Sequence, residues 1–102
     1  MSFVAFFFAG AFVCNALPHL AAGLRGECFP TPFAKPHGRG PSSPLVNFLW
    51  GGLNALAGAA LFVTHPLVPG INAGSAAVVL GVLAIGIFTS VHFGRARREG
   101  AF

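Results

Sequence analysis

The sequence predicts an all-α membrane protein: three transmembrane helices with a long Pro-rich loop between the first and second. Three observations lead there. Hydrophobic residues make up 55% of the 102-residue chain and charged residues only 8%, against about 25% charge in a soluble domain. Three uncharged stretches, residues 2–24, 45–65 and 72–94, each approach the ~20 residues that cross a ~30 Å hydrocarbon layer. All six Lys and Arg residues fall outside them, within 25–39 and 95–98. The whole chain, 1–102, reads as one transmembrane domain, because a lipid-embedded apolar run must close its own backbone hydrogen bonds as a helix.

The first span, residues 2–24, opens on "MSFV" with no basic residue. A cleaved signal peptide begins with positive charge, so a retained helix is expected. Its second half carries Asn15, Pro18 and His19. At helical spacing Phe8, Phe12, Asn15 and His19 share one face, suited to a neighbouring helix. Pro18 removes a donor and frees the Cys14 carbonyl.

The connection "RGECFPTPFAKPHGRGPSSP", residues 25–44, is far longer than an antiparallel helix pair needs. Its prolines stiffen it. Phe29 and Phe33, with Lys35 and Arg39, predict a surface that docks against a partner; a solvated linker touching anionic lipid is the alternative. Ser43 and Pro44 read as the N-cap and first position of the next helix.

The second span, 45–65, repeats Asn47, Gly51, Asn54 and Gly58 on one face, with Trp50 near the headgroups. "HPLVPG" then reverses the chain. The third span, 72–94, aligns Gly74, Gly81 and His92. Small residues let helix backbones approach, and amides and imidazoles then bond across the seam. Counting 1.5 Å per residue from the basic boundary, Asn15 and Asn54 both lie about 15 Å deep, which predicts a contact between them. His19 lies about 9 Å deep, and Asn47 and His92 about 4–5 Å.

Three spans put the first connection and the tail 95–102 on one side, and all six basic residues are there. The positive-inside rule makes that side cytoplasmic and the N-terminus periplasmic in a bacterial inner membrane. The same clustering explains the +4 net charge without nucleic acid as a partner. Cys14 and Cys28 are too far apart along a partly helical segment for a disulfide, so both are expected as free thiols.

Chemistry is sparse. The only carboxylates are Glu27 and Glu99, outside the spans, and there is no Asp to orient a histidine. Cys28 and His37 supply two ligands, short of a zinc site. These observations argue against an enzyme and a metal centre. Two readings of His19 and His92 stand side by side. They ligate one haem b iron from two helices, or they are structural histidines, His19 bonding Asn47 or a carbonyl and His92 reaching toward headgroups.

The run "NALPH…FPTPFAKPHGRGPSSPLVNFLWGGLN", residues 15–54, resembles a recurrent pattern in small uncharacterised bacterial inner-membrane proteins. The shared elements are Asn-x-x-Pro-His, the Thr-Pro-Phe loop, Ser-Ser-Pro and Asn-x-x-Trp-Gly-x-x-Asn. The resemblance implies an inner-membrane location and supplies no reaction. The sequence therefore points to a non-catalytic accessory subunit of a larger inner-membrane complex, in contact with lipid and other membrane subunits. The alternatives are a haem- or quinone-binding electron-transfer subunit using His19 and His92, and a free homo-oligomer.

Overall fold

A computed structural model describes residues 2–102. Three helices form an elongated body of 42 × 23 × 20 Å: α1 (Ser2–Leu24), α2 (Pro44–Thr64) and α3 (Ala73–Arg98). All three are long and apolar enough to cross a membrane. α1 lies in the middle. It packs along α2 on one side and α3 on the other, while α2 and α3 have almost no contact with each other.

Two seams on α1 make this arrangement. Toward α2, Ala9 and Ala16 are buried. A Cβ on Gly51 would lie 2.8 Å from the Leu20 backbone nitrogen, and one on Gly58 would lie 2.6 Å from Val13 Cγ2. Toward α3, a Cβ on Gly81 would overlap the Phe7 carbonyl, and one on Gly10 would overlap the Val78 carbonyl. At Gly74 the neighbours are the Phe6 ring and Leu67, at 3.1–3.2 Å. Glycine here permits backbone-to-backbone contact, the main route to helix association where lipid is as apolar as leucine.

The seam on α1 differs from the expected stripe. Phe8 is exposed and Phe12 half-buried, and only Asn15 and His19 of that face meet other elements through side-chain hydrogen bonds. The small residues Ala9, Gly10 and Ala16 carry the packing because the larger phenylalanines would hold the backbones apart.

The helix ends follow local chemistry. Gly26, at φ 68°, ends α1, with Glu27 N–H donating to the Ala22 carbonyl at 2.8 Å. Gly100, at φ 75°, ends α3 the same way, with Ala101 N–H on the Ala96 carbonyl at 2.9 Å. Both positions have the left-handed backbone that favours glycine. Ser43 caps α2 by accepting from Val46 N–H at 3.2 Å, with Pro44 at the first position. Asn72 caps α3 through Ser75 N–H at 2.9 Å.

Both ends of the two later helices shift from the sequence reading, α2 beginning at Pro44 and α3 at Ala73. α2 ends at Thr64, with His65 as its C-cap. α3 runs on to Arg98, so the basic tail is mostly helix. Arginine is a good helix former, and positive charge in a last turn complements the helix dipole.

The 25–44 connection is a folded cap over one end of the bundle. Phe29–Pro30 (β1) pairs antiparallel with Pro41–Ser42 (β2), in register Phe29 with Ser42 and Pro30 with Pro41. Thr31 and Ser42 hydroxyls bond at 2.6 Å, both residues being buried. The Thr31 carbonyl accepts from Ala34 and Gly38 N–H at 3.1 and 2.9 Å. Cys14 and Cys28 are free thiols.

Candidate functional site

The candidate site is built around Asn47, which is fully buried in the first turn of α2. Its Nδ2 donates to the carbonyls of Phe29, Ser42 and Ser43, at 2.8, 3.2 and 3.1 Å. Those three acceptors fix the amide orientation, because only the NH₂ group can face carbonyls. Asn47 Oδ1 is therefore turned to α1, where His19 Nδ1 lies 2.8 Å away. The acceptor there requires His19 to carry its proton on Nδ1. The neutral ring then has a bare lone pair on Nε2.

The same logic runs about two turns further along α2. Asn54 Nδ2 donates to the Trp50 carbonyl at 2.8 Å. Its Oδ1 accepts from Asn15 Nδ2 at 3.1 Å, so the expected Asn15–Asn54 contact is present. Asn15 Oδ1 has no hydrogen-bond partner among the described residues.

Beside these groups, the gap between α2 and α3 forms a crevice of about 450 Å³. α1 supplies its floor through Asn15 and His19. Trp50 stands on the α2 side, Phe88 and Phe93 on the α3 side, and the cap around Thr31 closes one end. His19 itself is only 2% exposed. Phe93 meets the His19 ring edge-on at 6.4 Å and the His92 ring at 5.1 Å.

His92 borders the crevice as well, in a different role. Its Nε2 lies 2.7 Å from the Gly38 carbonyl, so Nε2 is the donor, and its ring stacks on Phe88 at 5.5 Å. The two imidazoles of the haem alternative thus do not offer two free Nε2 atoms to one iron. His92 ties α3 to the cap, and Phe93 packs against both rings.

The cap residues divide between inside and outside. Phe29, expected on a docking surface, turns inward onto His19 (5.5 Å), Phe93 (4.7 Å) and Phe102 (5.4 Å). Burying this ring under the bundle removes more apolar surface from water than leaving it on a loop. Arg39 is engaged within the chain, in an ion pair with Glu99 of the tail. Phe33, 64% exposed and edge-on to Trp50 at 5.3 Å, and the exposed Lys35 keep the outward position expected of them.

Several contributors were not singled out from sequence. Gly10 and Gly23 lie at helix contacts, Gly23 against Phe48 and the Pro44 carbonyl. Thr31, Thr89 and Phe93 line the crevice. The Ala9-Gly10 pair in mid-span was the available signal for the first; nothing local marks the crevice residues, which are assembled from three distant segments. No family model, curated protein or solved structure matches the chain.

Proposed function

We propose that this protein is a non-catalytic accessory subunit of a larger bacterial inner-membrane assembly, with its capped end and arginine-bearing tail in the cytoplasm. The observation that carries the reading is the open architecture of the bundle. α3 buries only Gly81 and Ala96, and Val79, Leu80, Leu83, Ile87 and Phe88 project outward. α2 likewise turns Leu45, Leu49, Leu53 and Leu56 away from α1. α2 and α3 are each satisfied along one narrow seam with α1 and keep a broad apolar face for lipid or for other membrane chains.

The capped end supports the same reading. Its polar backbone is internally bonded, so Phe33 and Lys35 stand on an ordered platform. Both carboxylates in the chain are engaged by arginine, Glu27 with Arg25 and Glu99 with Arg39. The arginine clustering supports the cytoplasmic placement of this end.

The test is purification of the tagged chain from its native membrane in mild detergent, followed by mass spectrometry. A defined set of integral membrane chains in fixed ratio is the expected result, and a photo-crosslinker at position 33 should capture one of them. A single species composed of this chain alone would overturn the proposal in favour of a homo-oligomer.

A further inference from the structure

We infer that the crevice between α2 and α3 is a binding site for the hydroquinone head of a membrane-soluble aromatic diol, selective for the reduced ligand over the oxidised quinone. The inference stands apart from the subunit reading and uses only the placement of the helices in a bilayer.

The selectivity comes from hydrogen-bond polarity. Asn47 holds the His19 proton on Nδ1, so His19 presents Nε2 as an acceptor. Asn54, anchored on the Trp50 carbonyl, takes the Asn15 N–H and leaves Asn15 Oδ1 as an acceptor. No side-chain polar atom sealed from solvent lacks a partner among the described residues. Both free acceptors therefore reach open space, and the open space lined by both residues is the crevice. The other histidines there agree: His92 and His37 point an N–H at the Gly38 and Pro32 carbonyls, at 2.7 and 2.9 Å.

The two free acceptors, His19 Nε2 and Asn15 Oδ1, need a ligand that donates. A cation is poorly served, because no carboxylate lines the crevice and a charge at this depth is costly without one. A neutral hydroxyl suits it. Asn15 and His19 are one helical turn apart, about 6 Å along the axis, a separation similar to that of two para oxygens on one ring. Trp50, Phe88 and Phe93 provide aromatic walls for the ring. The lateral opening between α2 and α3 leaves room for an apolar tail to lie in lipid. A quinone has the same shape but only accepts, so its oxygens face the lone pairs of Nε2 and Oδ1 unpaired.

Trp50 is the only tryptophan in the chain and lies in the crevice wall, so its fluorescence reports occupancy directly. The full chain in lipid nanodiscs is titrated with three probes: a decyl-substituted benzohydroquinone, its oxidised quinone, and its bis-methyl ether. The expected result is a saturable change with the hydroquinone, at a midpoint about tenfold or more below those of the other two, the equivalent of about one hydrogen bond. His19→Phe, which leaves only the Asn15 acceptor, should narrow the gap between the hydroquinone and the other two probes. Ile85→Trp, which fills the crevice from α3 and touches neither amide pair, should abolish binding of all three with the helical circular dichroism unchanged; its added fluorescence makes equilibrium dialysis the readout there. Equal midpoints for the three probes in the native chain would overturn the inference, as would no saturable binding. So would a hydroquinone preference undiminished in His19→Phe, or binding undiminished in Ile85→Trp. Should His19→Phe fail to fold, the native chain and Ile85→Trp decide.

Discussion

Removing the Asn47 amide should be the most damaging polar substitution in the chain. In Asn47→Ala, His19 Nδ1–H loses its acceptor, and the carbonyls of Phe29, Ser42 and Ser43 lose a shared donor. One oxygen and two N–H groups disappear from a fully buried position. At about 1 kcal/mol for each of at least three hydrogen bonds, the loss is about 3 kcal/mol. Asn15→Ala removes a single interhelical bond, for which the average in membrane bundles is about 0.6 kcal/mol. Reversible unfolding in mixed micelles, followed by circular dichroism, measures both. The expected order is Asn47→Ala well below Asn15→Ala, with Asn47 and His19 coupled in a double-mutant cycle. The substitution should also loosen the cap, so that trypsin cuts after Arg39 faster than in the native chain. Equal destabilisation by the two alanine variants, with unchanged cleavage, would refute the assignment of Asn47 as the group that joins α1, α2 and the cap.

Two further outcomes follow from the geometry. Gly81→Ala drives a methyl into the Phe7 carbonyl and should separate α3 from α1, whereas Gly52→Ala meets nothing within 4 Å and should leave stability unchanged or raise it by up to about 1 kcal/mol through helix propensity; thermal unfolding of the pair distinguishes seam from surface. In a cysteine-free background, Lys35→Cys and Ala101→Cys should react with an impermeant maleimide only from the cytoplasmic side and Val68→Cys only from the opposite side, and labelling of positions 35 and 101 from different sides would reject the proposed threading.

The helices were legible because a helix long and apolar enough to cross a membrane has one dominant requirement, an unbroken apolar run, and residues 2–24 meet it in both sequence and structure. The Asn15–Asn54 contact was legible for a related reason: two amides at equal depth have few other partners. The end of α3 was not, since hydropathy marks where apolar residues stop at Gly94, while the hydrogen-bonded ladder continues through arginines that form helix equally well. Phe29 was misassigned because hydrophobicity alone does not say whether a loop phenylalanine faces its own bundle or a partner. Asn47 was read as a helix-packing residue and an alternative partner for His19, not as a junction. Its partners are backbone carbonyls, identical in every residue, and only the fold determines which of them arrive.

The central position of α1 has a consequence for how the chain is made. Of the three helices, α1 leaves the ribosome before the two that depend on it, and those two ask almost nothing of each other. A nascent chain can thus seat α2 against α1, and fasten the cap through Asn47, while the residues of α3 are still being translated.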